Sequence, residues 1–572
     1  MILHAMRQLQ TVDWAIIGSY VVLALAVGVF FTRRASSSVE QFFVSGRSLP
    51  WWLAGTSMAA TNFSIDTPVA IAGLVAKEGI AGVWFFWSSG IAAMLATFFF
   101  ARLWRRAAVI TDAEIIELRY SGRPAAILRL VKGLYFGVLI NCFVLGWVMT
   151  AMMKVMGEVT DMNRLTTLIV FVGIALVYTL LSGFWGVVVT DLVQYVVALV
   201  GAVAVAIYAV RAAGGLESMT ARIAERFPEG KVTQFVPSFS GGDEGWMPLS
   251  VFLVYVCLQW WAHKYADGGG KTIQRMLAAR DERQAVLATL WFALANYAVQ
   301  VWPWILTALA ALARWGQLAD PEAAYPHTMV DVLPPGMLGL ATVALLGAFM
   351  STVDTHLNLG GSYMVNDIYR RFMVKHASEA HYVLASRVSM LVNMAIACLI
   401  GWQIQSVGRA WKFVLAFVSG AGPTFIVRWF WWRANAWTEL SALLASGVVA
   451  AVLQLTHPDL LYSWRLLAVV GLSAAVWIPV TWLTPPVSEE RLVEFLRRVR
   501  PGSAGWSVLA RRHGIEQEPF FRKASVRWLA GCGVLFGICF GLGHLLLGRP
   551  LYGTALLALG GGLLLWILRD AS

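Results

Sequence analysis

Residues 186–211 contain a single charged side chain, Asp191, before Arg211 closes the run. A bilayer's hydrocarbon core is about 30 Å thick and takes about 20 residues of helix to cross, so this segment is long enough to span one. Lipid offers no partner to backbone N–H and C=O groups, so a spanning segment of this kind must satisfy them internally, as a helix. Apolar segments of that length recur from residues 13–32 to residues 551–569, about fifteen in all at about 20 residues each. The chain is therefore predicted to be an all-α, polytopic protein whose constant partner is the lipid bilayer.

Only 13 % of the 572 residues are charged, against about 25 % in soluble proteins. The formal charge of +12 does not point to nucleic acid, because the cations gather in short connections and not on one domain or arm. Arg33, Arg34 and Arg47, then Arg102, Arg105, Arg106, Arg119, Arg123 and Arg129, then Lys264, Lys271, Arg275, Arg280 and Arg283, and later Arg370, Arg371 and Lys375 all fall on one side of the predicted membrane. The positive-inside rule makes that side the cytoplasm, in a cell inner (cytoplasmic) membrane, with the N-terminus outside and the C-terminus inside. The opposite connections, such as Asp243-Glu244 and Asp320-Pro-Glu322, are more acidic. Five cysteines lie inside apolar segments without metal spacing, and the nine histidines are scattered. Neither pattern supports a metal centre or a nucleophile, so no enzyme activity and no organic cofactor are expected.

Two spans break the apolar rule. Around residues 55–68 the chain reads Gly55-Thr-Ser57-Met-Ala-Ala60-Thr61-Asn62-Phe63-Ser64-Ile-Asp66-Thr67-Pro68, a polar cluster with a proline. Non-helical backbone at membrane depth is tolerated where it lines a cavity or is buried in protein, although a simple proline kink is the plainer alternative. Five spans later, Gln259-Trp-Trp261-Ala-His263-Lys264-Tyr265-Ala-Asp267-Gly268-Gly-Gly270 interrupts a second apolar run. Paired breaks of this kind mark an inverted-repeat transporter, with ion and solute held at the breaks.

A third stretch, Ala348-Phe-Met-Ser351-Thr352-Val-Asp354-Thr355-His356-Leu-Asn358, lies within an apolar span. Helical spacing puts Ala348, Ser351, Thr352 and Thr355 on one face. Such hydroxyls suit a hard cation, or simply bond back to carbonyls one turn earlier. Asp354 beside them favours the functional reading, because a carboxylate at membrane depth costs about 2.5 to 3.5 kcal/mol on insertion scales.

These stretches, in order, resemble the sodium:solute symporter family. The resemblance also rests on Phe43-Val-Ser-Gly46-Arg47-Ser48-Leu49, on Thr111, Glu114, Arg119 and Tyr120, on Gly183, Gly186, Thr190, Asp191 and Gln194, on Ile273-Gln274-Arg275, and on Asn366-Asp-Ile-Tyr369. It implies a LeuT-like 5+5 inverted-repeat core with one extra N-terminal and several C-terminal transmembrane helices. The corresponding divisions are residues 1–45 for the extra helix and loop, 46–212 and 248–433 for the two repeats, 213–247 for an external loop, 434–484 for two further helices, 485–525 for a cytoplasmic connector and 526–572 for a hairpin.

The resemblance further implies sodium-coupled symport of a small organic solute by alternating access, with proton coupling or a non-transporting sensor as alternatives. By motif match, a first sodium site falls on Ala60, Phe63, Ala348, Ser351 and Thr352. A second cation site falls on Asp191, Asp354 and Thr355, although Asp354 stands where such members usually have Ser, which makes two-sodium stoichiometry doubtful. For Asp191, a helix cap following Thr190 is the plain alternative. Solute contacts are expected from Asn62, Ser64, Thr67, Phe86, Ser88, Gln259, Trp260 and His263. Thr67 and Phe86 stand near positions where sugar-transporting members carry Gln and Glu, which counts against a sugar resembling galactose or glucose. His263 or Lys264 could meet a carboxylate. The oligomeric state is left open.

Overall fold

The computed structural model describes residues 9–35, 47–109, 111–160, 162–237, 247–518 and 520–570. Phe43, Val44, Ser45, Gly46, Asp243 and Glu244 lie outside the described residues, as do the side chains of Arg33, Arg34, Gly183, Gly186 and Lys271.

Among the described residues the protein is all-helical, the sole strand-like contact being a bridge between Leu49 and Ala279. The elements used below are α1 (Thr11–Ala35), α2 (Trp51–Asn62), α3 (Asp66–Glu78), α4 (Ile80–Ala107), α5 (Gly122–Thr160), α6 (Gly173–Ala212), α7 (Leu249–Gln259), α8 (Lys271–Ala278), α9 (Glu282–Trp315), α10 (Met337–Met373), α11 (Glu379–Gln403), α12 (Val407–Ser419), α13 (Gly422–Phe430), α14 (Ala436–Thr456), α15 (Tyr462–Leu483), α16 (Glu489–Val499), α17 (Phe520–Leu546) and α18 (Pro550–Asp570). Ten helices are long and apolar enough to cross a membrane, or twelve if the bent pairs α2/α3 and α12/α13 each count as one span. Three shorter apolar helices stand beside them. Two further predicted spans, residues 164–182 and 186–211, match the apolar segments Arg164–Leu180 and Thr190–Ala212, and the backbone between them stays helical within the 40 residues of α6. No proline interrupts that stretch, and its glycines weaken a helix without stopping it.

The first predicted break is present: α2 and α3 meet at 59° across Phe63, Ser64 and Ile65. Pro68 falls in the first turn of α3, where its missing N–H removes no helical hydrogen bond. The second break is the non-helical stretch between α7 and α8. Gly422, at the start of α13, lies against this second break: a Cβ there would sit 2.7 Å from the His263 backbone nitrogen, so the absence of a side chain lets α13 close on it. Gly55 similarly lets α2 approach the Ala288 carbonyl of α9. Around the two breaks pack α6, α9 and α10, while α17 and α18 form a hairpin against α4 and α9.

The residues counted as loop cations divide in the structure. Arg119 and Arg275 are almost wholly buried and Arg129 nearly so, and Arg428 of α13, a further arginine on the same side, is buried with them. The reason for Arg275 is that α8 is a short helix of the broken second span, and the position faces inward among α2, α6 and α10. Burying such a charge without partners is costly, and all four arginines have carboxylate or carbonyl partners.

Candidate functional site

The end of α2 brings its last turn against the middle of α10. The Thr352 hydroxyl lies 3.4 Å from the Thr61 carbonyl, beside the break. Ala60, Phe63, Ala348 and Ser351 are buried around the same junction. The Phe63 ring turns away, edge-on to Trp304 at 5.0 Å, which leaves its backbone as the group available at the break. The Ser351 hydroxyl donates to Asp191 Oδ1 at 2.5 Å, so it stands between the two cation sites named by the motifs.

The position of the second cation site that the resemblance implies contains an arginine. Arg275 donates from Nη2 to Thr61 Oγ1 at 3.1 Å, to Thr355 Oγ1 at 3.0 Å and to Asp191 Oδ2 at 3.4 Å. Its Nε reaches Ser57 Oγ at 3.1 Å, and Ser57 in turn donates to Asp191 at 2.6 Å. Asp191 is thus held by a guanidinium and two hydroxyls inside the core. Asp354 lies within electrostatic reach of Arg275 and accepts from Asn358 Nδ2 at 2.8 Å. Sequence reasoning missed the role of Arg275 because its motif, Ile273-Gln274-Arg275, sits next to a run of exposed cations. Its signal was the apolar spacing of α8, with Ile273, Met276 and Leu277 all buried.

Next to this junction is a cavity of about 190 Å³. Asn62, Ser64, Thr67, Phe86 and His263 line it, and so does Thr352. The other expected solute contacts lie elsewhere. Ser88 and Gln259 are bonded to each other at 2.7 Å, and Gln259 also donates to the Phe85 carbonyl and accepts from Tyr462. Trp260 packs on Trp528 of α17, ring centres 5.1 Å apart. Ser89, one residue on from Ser88, faces the cavity instead.

The cavity also holds two charges, Asp66, to which the sequence reading gave no role, and Lys264, which it read as able to meet a carboxylate. Asp66, the first residue of α3, accepts from Trp411 Nε1 at 3.0 Å. The Lys264 ammonium lies over Trp147 at 5.7 Å and Tyr265 at 5.1 Å, an arrangement that shelters a cation beside aromatic faces. The site therefore presents an ammonium, a carboxylate and several hydroxyls between aromatic walls.

Toward the arginine-rich side, the second break is tied down. Asp267 accepts from Arg428 and from Trp429 Nε1, and its carbonyl accepts from Trp104 Nε1 at 2.6 Å. Asp112 accepts from the Tyr363 hydroxyl and from the Gly270 N–H. On the opposite side, Lys412 pairs with Glu78 at 3.2 Å.

The model of the "Sodium:solute symporter family" matches residues 42–446, most of the chain and both broken spans. The chain belongs to this family. The symporter is 26 % identical to the Sodium/mannose cotransporter SLC5A10 of Bos taurus, over 79 % of this chain and 81 % of that one. It is 25 % identical to the Sodium/glucose cotransporter of Vibrio parahaemolyticus, over 78 % and 84 %. Its fold resembles the substrate-bound, outward-open state of a Na+-coupled sialic acid symporter, with TM-score 0.69 and 19 % identity, over 84 % of this chain and 99 % of that one. The architecture is thus the LeuT-like one that the family resemblance implied, and the protein is a multi-pass, sodium-coupled symporter and not an enzyme.

Proposed function

We propose that this symporter carries one sodium ion with one small polar solute per cycle, into the cell across the cytoplasmic membrane, with its N-terminus outside and its C-terminus inside. The observation that supports this most directly is Thr352, which both touches the carbonyl at the first break and lines the solute cavity. An ion held there by Thr352, Ser351 and the carbonyls of Ala60, Phe63 and Ala348 would share a wall with the solute. Binding of either would then favour the other by the same factor, as linkage requires. The two repeats, residues 46–212 and 248–433, supply one break each.

A single sodium is supported by Arg275. Its guanidinium contacts Asp191 and Thr355, two of the three residues of the second cation site, so a fixed charge already serves the place of a mobile one. Proton coupling and a sensor role are less well supported, given a sodium:solute family match across both breaks.

For the solute, Lys264 and Asp66 favour a molecule with an acidic group and hydrogen-bond donors, held between aromatic rings. A neutral sugar is the second reading, favoured by relatives named for mannose and glucose. Uptake by proteoliposomes under an imposed sodium gradient separates the two. We expect small hydroxylated or amino acids to be taken up in preference to mannose or glucose, with Lys264→Gln raising KM for the acid about tenfold or more, in line with losing a charge-assisted hydrogen bond. Sugar uptake unaffected by Lys264→Gln would overturn the acidic-solute reading. Uptake driven by a pH gradient without sodium would overturn the coupling ion.

A further inference from the structure

The connector after α15 lies beyond the matched family region, which ends at residue 446, and it docks on the arginine-rich side of the core. Its helix α16 turns Leu492, Phe495, Leu496 and Val499 inward and leaves Glu494 and Arg497 exposed, the pattern of an amphipathic helix seated on one face.

The connector holds two core elements at once. At the end of α4, Arg498 Nη2 donates to the Ala107 carbonyl at 2.6 Å, and Arg106 Nη1 donates back to the Arg500 carbonyl at 3.4 Å. Ala108 and Arg500, at these two turns, have left-handed backbones with φ of +50° and +51°, which residues other than glycine keep only where the surroundings impose it. At the end of α13, Ser503 Oγ donates to the Phe430 carbonyl and Trp506 Nε1 to the Trp429 carbonyl, both at 2.8 Å. The Phe495 and Trp506 rings stack, and the buried Arg119 guanidinium lies 4.8 Å from the centre of the Trp506 ring.

The same two helix ends pin the second break. Asp267 accepts from Trp429 of α13 through its carboxylate and from Trp104 of α4 through its carbonyl. Tyr265 and Gly268, on either side of Asp267, line the cavity beside the first break. A transporter that works by alternating access exposes its cavity to one side at a time. Opening toward the arginine-rich side requires the 265–268 stretch to part from α4 or α13, and a connector gripping both ends opposes that motion.

We propose that the connector is a conformational strap: seated across the ends of α4 and α13, it holds the cavity closed toward the arginine-rich side, and lifting it lets that side open. The proposal rests on this cavity being the transport site, whichever solute it carries.

The test uses the full chain in oriented membrane vesicles with a reporter cysteine, Thr272→Cys, at a position of α8 that lines the cavity. Labelling by a membrane-impermeant maleimide is timed from each side, and the chain without the reporter gives the background from its five native cysteines. Gly505→Ala places a Cβ 2.0 Å from the Phe430 carbonyl oxygen, so the connector must lift although no core side chain has changed. Arg498→Gln removes the bond to Ala107 from an exposed position, and it serves if Gly505→Ala does not fold. In each variant, labelling from the arginine-rich side should be at least about tenfold faster, the effect on an equilibrium of losing one hydrogen bond to a charged group, and labelling from the opposite side should be slower. Unchanged labelling in both variants, or labelling that speeds equally from the two sides, would each overturn the strap. Protection of the reporter by a transported solute tests the cavity reading separately.

Discussion

With Ser351 and Thr352 both replaced by alanine, sodium should no longer raise the melting temperature of the purified protein, and sodium-driven uptake should fall by at least about tenfold, the order of effect expected from losing two ligands of one ion. A ligand that binds only the folded state stabilises it by RT ln(1 + [L]/Kd), about 2.7 kcal/mol at one hundred times Kd. In the wild type, the melting temperature should therefore rise with sodium and not with potassium or choline at equal ionic strength. The two hydroxyls are buried, so their removal also leaves small voids and costs stability without any ion. That baseline loss appears equally in choline. The discriminating quantity is the sodium-minus-choline difference: if the alanine variant keeps it, the ion does not bind at Ser351 and Thr352.

The largest stability effect is expected at Arg275. Arg275→Gln removes the guanidinium that contacts Asp191, Thr61, Thr355 and Ser57, leaving Asp191 buried with hydroxyls alone. Breaking one side of a buried ion pair costs about 3–5 kcal/mol, because the remaining charge loses its partner but stays out of water. Arg275→Lys retains the charge but cannot spread donors across four acceptors, so it should recover only part of the loss. Asp191→Asn combined with Arg275→Gln should be less damaging than the sum of the single changes, since the pair is then absent instead of half-broken. Additive losses in denaturation of the four proteins would show that the two residues do not act as a pair.

Arg275→Gln also tests the stoichiometry. Once the fixed charge is gone, Asp191, Asp354 and Thr355 become available to a mobile ion. The variant, if it is recovered folded, should show a steeper dependence of melting temperature on sodium concentration than the wild type. An unchanged dependence would mean that the guanidinium does not stand in for a second sodium.

The membrane-spanning character of this chain and its two breaks were legible in the sequence, because both are local properties. Backbone groups in lipid must pair within the segment, so a long apolar run specifies a helix without reference to its neighbours. A proline and polar side chains in such a run mark a break for the same reason, as at residues 62–68. The shared face of Ala348, Ser351, Thr352 and Thr355 likewise follows from helical periodicity alone.

What periodicity does not contain is the partner across the fold. Ser88 and Gln259 each looked able to meet a solute, yet they are 171 positions apart and satisfy one another. Trp260 looked like a pocket wall and instead meets Trp528 on a hairpin that lies outside the matched family region. Lys264 and Arg275 sit eleven positions apart in what read as one cationic connection, but the fold takes the first to the cavity beside the first break and the second to Asp191, 84 positions away. The sequence by itself determined a membrane protein with two interrupted spans and a hydroxyl-bearing helix. Only the tertiary structure decided which buried polar groups neutralise one another and which line the cavity, because a buried charge takes its energy from partners that chain order does not name.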